Sequence, residues 1–204
     1  MSTYYELDPL SFDELIARFH SPPPDGNEYE FVYYSEVAEL IIAKGDQAGI
    51  DFLRSELDRA RLDKLRAILS TLAPLLLNDP AFKMRLVLLL NDDYPFLVME
   101  AIDCLSLQDD KTVLDTVRAL STHASPYVRG AVLRYVRQVF PYLSLPLLIE
   151  GAGDEHYIVR ESAADELGEL GDPSALPHLQ ILLTDPHPDV QEAARTAIEW
   201  LQSS

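Results

Sequence analysis

Four valines, Val98, Val128, Val159 and Val190, recur in the second half of the chain at intervals of 30, 31 and 31 residues. Three and four residues after each comes a pair of small or aliphatic side chains: Ala101 and Ile102, Ala131 and Val132, Ser162 and Ala163, Ala193 and Ala194. Seven or eight residues after each comes another apolar side chain: Leu105, Val136, Leu167 and Ile198. That spacing marks one face of an α-helix. The small residues let such a helix approach its neighbour closely, as stacked helical hairpins require. A period near 30 residues is the size of one stacking unit in a repeat array.

The clearest unit runs from Asp154 to Thr184. Its first helix is predicted over Tyr157–Leu170 and is closed by Gly171, where a left-handed stop suits glycine. Asp172-Pro173 makes the turn, and a second helix follows through Leu176, Leu179, Leu182 and Leu183 until Asp185-Pro186 breaks the chain. The same rhythm predicts helices over Tyr29–Lys44, Asp46–Asp58, Ala60–Leu72, Pro80–Leu90, Pro95–Leu107, Lys111–Ser121, Pro126–Phe140, Leu145–Ala152 and Pro188–Leu201, with Gly45 closing the first of these. No stretch alternates apolar and polar residues with period two, so no sheet is expected. The fold class is all-α: about five helical pairs, with Pro188–Leu201 as a C-terminal capping helix.

The N-terminal part departs from this rhythm. Ser11-Phe12-Asp13-Glu14 has the form of a capping box opening a short helix through Phe19, and Pro22-Pro23-Pro24-Asp25-Gly26-Asn27 reads as an exposed turn. Residues 1–28 are therefore expected to form a capping helix and linker, and residues 29–204 the repeat domain. Half of the ten tyrosines fall in the first 34 residues, at Tyr4, Tyr5, Tyr29, Tyr33 and Tyr34. They could cap the apolar end of the array or act as a binding arm.

Charge narrows the choice of partners. The formal net charge of −18 is wrong for a phosphate backbone or an anionic membrane surface, and suits either a partner protein with a basic surface or simply a soluble exterior. The surplus is uneven: after Pro141 the only basic residues are Arg160 and Arg195, while Arg54, Arg59, Arg61, Lys64 and Arg66 cluster earlier. That cluster is interleaved with Glu56, Asp58 and Asp63, which predicts a solvated face with local ion pairs. The first residues, Met1 to Glu6, carry no basic region followed by an apolar run, and the longest apolar runs are too short to span a bilayer. A cytoplasmic protein is expected.

Tyr157-Ile158-Val159-Arg160-Glu161-Ser162-Ala163-Ala164-Asp165-Glu166-Leu167-Gly168-Glu169-Leu170-Gly171-Asp172-Pro173 closely resembles a HEAT-like repeat of the short bacterial type found in phycobilin lyase subunits, and Asp185-Pro186-His187-Pro188-Asp189-Val190 looks like the start of the next. The resemblance implies helix pairs stacked in a right-handed α-α superhelix, with protein recognition along the concave face. The arginine that often follows the repeat valine is present as Arg129 and Arg160 and replaced by Met99 and Gln191.

If second helices build the concave face, Asp115, Arg118, Glu150, His178 and Gln180 are the candidate partner-binding residues on it. Arg129 and Arg137, eight apart on one helix face, are candidate anchors for an acidic partner. His156 and His187 share a repeat position; they could hold a metal only by leaning together, and the plainer expectation places both at helix starts on the solvent edge. Cys104, the single cysteine, aligns with Arg134, Asp165 and Thr196, which suggests a partly packed structural thiol less buried than most. Its acidic neighbours would raise its pKa. Asp92-Asp93, Asp109-Asp110 and Asp154-Glu155 precede helices, where carboxylates serve as caps. No catalytic constellation is visible, and neither a cofactor nor a metal is expected. The reading is a non-catalytic scaffold or adaptor; the alternative from the resemblance is a phycobilin lyase subunit or phycobilisome-associated factor. A HEAT-like DNA glycosylase would need a basic concave face, which the acidity opposes.

Overall fold

A computed structural model describes residues 4–24 and 30–203. The expected turn at Asp25-Gly26-Asn27 and the expected helix start at Tyr29 lie outside them. Every regular element among the described residues is helical, as the periodicity predicts. The α-helices are α1 (Phe12–His20), α2 (Glu30–Gly45), α3 (Gln47–Glu56), α4 (Leu62–Leu72), α5 (Pro80–Leu89), α6 (Pro95–Leu107), α7 (Leu114–Arg118), α8 (Pro126–Val139), α9 (Pro141–Gly151), α10 (Tyr157–Leu170), α11 (Leu176–Leu182) and α12 (Pro188–Ser203). None of the described helices is long and apolar enough to cross a membrane. The chain is all-α, of the α-solenoid class, and divides into two compact units, Met1–Arg85 and Leu86–Ser204.

In the first unit the capping box forms as predicted: the Ser11 Oγ accepts from the Glu14 amide, and the Glu14 carboxylate accepts from the Ser11 amide at 2.8 Å. The tyrosines are mostly packed. Tyr33 and Tyr34 are buried, Tyr4 meets Tyr33 edge-on at 5.2 Å, and Tyr34 meets Phe19 at 5.9 Å, while Tyr5 stays exposed. Lys64 Nζ lies 4.6 Å from the Tyr34 ring centre. The basic cluster is engaged locally, through Arg54 with Asp79, Arg59 with Glu56 and Arg66 with Asp63. Gly45 does end α2, but the positive φ belongs to Asp46, at 48°. Close approach favours glycine at 45 instead: a Cβ there would meet the Phe12 ring, which would have to shift.

The second unit holds the regular repeats. α6, α8, α10 and α12 pack side by side in chain order as first helices, and α7, α9 and α11 lie against them as second helices. The small residues do what their pattern predicts: Ala101, Ala131, Ala163 and Ala194 are fully buried in that packing. Gly171 takes the left-handed stop, φ 71° and ψ 13°. Two boundaries differ from expectation. Lys111–Ser121 is not one helix; 3-10 turns at Lys111–Val113 and Ala119–Thr122 flank the short α7. α9 begins at Pro141, not Leu145, because Pro141 fills the first helical position, where no N–H partner is needed, and the helix then runs on through Pro146. Pro146 removes one intrahelical bond without ending the helix.

Candidate functional site

The charges on the first helices face one another. Arg129 holds Asp154 in a two-pronged ion pair at 2.9 and 2.7 Å and also donates to the His123 and Ala124 carbonyls. One repeat later Arg160 does the same with Asp185 at 2.7 and 2.9 Å and with the Asp154 and Glu155 carbonyls. Each of these aspartates also accepts from the backbone amide two residues on, at 2.8 Å, fixing the turn that starts the next helix. The arginine thus ties one repeat to the start of the next. Where Gln191 replaces it, the amide keeps only the carbonyl bond, to Asp185 at 2.7 Å. At the equivalent position two repeats before Arg160, Met99 replaces the arginine, and the aspartate position is taken by His123, whose Nδ1 accepts from the Ser125 amide at 3.0 Å. Both members of the pair change together.

This moves two candidates. Arg129 is buried against Asp154, and Arg137 holds Glu166 at 2.5 Å, so neither guanidinium is an open anchor for a partner. Arg134 adds a fourth such pair, forked onto Asp103 at 3.0 Å. The sequence placed Arg129 and Arg137 on a helix face correctly, but not the carboxylates 25 and 29 residues away. The environment shifts these acids. Hydrogen bonds from Arg160 hold Asp185 below the ordinary carboxylate range despite its burial. Burial would raise Asp154, but hydrogen bonds from Arg129 and the His156 amide, with the Arg129 charge, outweigh it and hold the carboxyl low. Burial lifts Glu166 although Arg137 opposes it. Asp165 is lifted by partial desolvation and by its acidic neighbours Glu161 and Glu169.

The second helices present a different surface. An open cleft of about 260 Å³ lies between α7, α8 and α9, lined by Leu114, Val136, Leu143, Pro146 and Leu147, with Arg118 and Glu150 contributing its charges. A smaller hollow of about 60 Å³, bordered by Ser121, Leu133 and Gly151, adjoins it and shares Leu147 and Glu150. Arg118 and Glu150 are exposed, and among the described residues neither enters an ion pair. Of the predicted binding residues, these two converge on the cleft. Asp115 is exposed on α7 outside the lining, and Gln180 (exposed) and His178 (half-buried) lie on α11. The apolar lining was not among the predicted site residues, although α9 signals it: Leu143, Leu145, Leu147, Leu148 and Ile149 leave that helix with no consistently polar face.

The remaining candidates serve structure. His156 Nδ1 caps α10 by accepting from the Ile158 amide, and His187 Nδ1 accepts from Asp189, with the Tyr157 ring stacked 3.6 Å from the His187 ring. Asp92 and Asp110 accept from the amides of Tyr94 and Thr112 as turn caps. Cys104 is buried, contrary to its expected partial exposure, because α6 is packed on nearly every side. Burial, with Glu100 and Asp103 beside it, pushes its thiol pKa well up.

Residues 116–199 match the sequence model of HEAT repeats. That stretch is similar to HEAT repeats. The Arg129–Asp154 and Arg160–Asp185 ties therefore join successive HEAT-like units. No curated protein matches the sequence. Among solved structures, an engineered protein is similar with 17% identity and a TM-score of 0.57 over 94% of this chain and 96% of its own. A designed armadillo repeat protein, solved with the peptide (KR)4, is similar with 18% identity and a TM-score of 0.54 over 94% of this chain and 100% of its own. A second designed armadillo repeat protein gives a TM-score of 0.51 at 18% identity over the same shares. At these identities the likeness is one of fold.

Proposed function

We propose that the chain is a non-catalytic, cytosolic adaptor that takes a partner polypeptide on the second-helix face of Leu86–Ser204. The observation that carries this is the cleft with its apolar lining and its two exposed, unengaged charges. On the first helices Arg129, Arg134, Arg137 and Arg160 are each bound to a carboxylate; among the described residues the two cleft charges are not, and they stand ready for something else. The net charge of −18 steers association toward a partner with a basic surface and speeds encounter more than it tightens the complex. That a designed armadillo protein of similar fold holds the peptide (KR)4 fits this reading. Calorimetric titration with (Lys-Arg)4 and with (Asp-Glu)4, at low and high salt, tests it. Binding of the basic peptide alone, weakening with salt, is expected; no binding of the basic peptide even at low salt would sink the cationic-partner reading.

A further inference from the structure

The overall acidity favours any polycation, but the cleft itself is nearly neutral. Its two charged residues have opposite signs and come from different helices, Arg118 from α7 and Glu150 from α9. Between them lie Leu114, Leu143, Pro146 and Leu147. Leu143 is 49% exposed, a large apolar side chain held at the surface in contact with water. At about 260 Å³ and open to solvent, the cleft lies just under the ~300–1,000 Å³ of small-molecule pockets. It suits the side chains of a segment laid across it better than an enclosed ligand. A polycation would place a like charge against Arg118, and a polyanion would place one against Glu150.

We infer that the α7–α9 cleft takes an extended segment of a partner protein with aliphatic side chains flanked by one basic and one acidic residue. The aliphatic side chains cover the leucines, the basic residue meets Glu150 and the acidic residue meets Arg118. The inference rests on the adaptor reading and gives it a recognition rule: the acidic surface attracts, and the paired charges of the cleft select.

The test uses three peptides, Gly-Lys-Leu-Leu-Glu-Gly, Gly-Lys-Leu-Leu-Lys-Gly and Gly-Glu-Leu-Leu-Glu-Gly, titrated into the isotope-labelled full chain and followed by amide shifts. The mixed-charge peptide is expected to bind tightest, by about fivefold for one exposed ion pair gained, and to shift amides of α7 and α9. Glu150→Lys should turn the preference to the Glu–Glu peptide, and Arg118→Glu to the Lys–Lys peptide. Both positions are exposed, so the variants should fold, and a reversed preference cannot come from misfolding. Leu143→Glu should weaken all three. If the Lys–Lys peptide binds tightest and neither charge variant alters the order, the cleft rule is overturned while the adaptor reading survives. If none of the three binds, the cleft rule falls, and if (Lys-Arg)4 fails as well, the adaptor reading falls with it. A wild-type dimer in sedimentation that Leu143→Glu dissociates would assign the cleft to a second copy of the chain and overturn the inference.

Discussion

On the first helices of Leu86–Ser204, Arg129, Arg134, Arg137 and Arg160 each meet a carboxylate from a neighbouring repeat. On the second helices, Arg118 and Glu150 enter no ion pair among the described residues, and Leu143 stands at the surface beside them. The contrast separates two uses of the same residue types. A guanidinium whose partner lies one repeat away fixes the stacking of repeats. A guanidinium beside an apolar cleft with nothing to hold is available for another molecule. Arginine content alone does not distinguish them; what its nearest carboxylate belongs to does.

The largest effect should come from forcing the first layer apart. A Cβ at Gly168 would stand 2.9 Å from the Ala197 Cα, so Gly168→Val should cost about 3 kcal/mol in chemical denaturation. At Gly153 the nearest atom is 3.5 Å away, and Gly153→Ala should stay within about 0.5 kcal/mol of wild type. Equal losses would mean that the close approach of Ala197 does not limit what position 168 can hold.

Next comes the tie between repeats. Arg160→Met should cost about 2 kcal/mol at neutral pH, since Asp185 is left desolvated without its partner. Adding Asp185→Ala should recover part of that loss, as the joint absence of this pair at Met99 and His123 anticipates. The pH dependence has a definite sign. Asp185 sits below its ordinary value of 3.8 when folded, so its contribution is full above that pH and is lost as pH falls toward the folded value. The gap between wild type and Arg160→Met should therefore close in acid, and a gap that persists there would mean the pair's charge is not what stabilises.

A smaller loss is expected at Tyr135, whose buried hydroxyl donates to the Asp110 carbonyl at 2.5 Å. Tyr135→Phe should cost about 1 kcal/mol. Burial, reinforced by Asp110 and Asp109, lifts this phenol to about 12, so Tyr135→Phe should remove a phenolate absorbance step near that pH in a spectrophotometric titration. The smallest effect is a gain. Asp165 is exposed, but partial desolvation and the acidic Glu161 and Glu169 push it up, so it opposes folding slightly once pH has risen through the carboxylate range. Asp165→Asn should raise Tm at pH 7 and much less at pH 4.

The sequence was most readable where local chemistry repeats. The valine register, the small residues, Gly171 and the Ser11–Glu14 capping box each follow from spacing or from one side chain's backbone preference, and the structure has them all. It was least readable where an outcome depends on residues far apart in the chain. The burial of Cys104 needs the packing around α6, and the engagement of Arg129 needs Asp154 across the repeat. The cleft was half visible: Arg118 and Glu150 were named from their helices, but the exposed side of α9 could not be told from its core side when leucines occupy both. Pro146 hid the true start of α9 by looking like a first-turn proline.

The division between the two layers is most directly tested by comparing the denaturation of two double variants, Arg118→Ala/Glu150→Ala and Arg160→Ala/Asp185→Ala. The first should unfold within about 0.5 kcal/mol of wild type, because both side chains are exposed and among the described residues neither enters an ion pair. The second should be destabilised by about 1 kcal/mol through loss of a buried, four-bonded tie, less than Arg160→Met alone because no buried charge is left unpaired. A first variant as destabilised as the second would contradict the account, since the cleft charges would then be holding the fold together instead of standing ready for a partner.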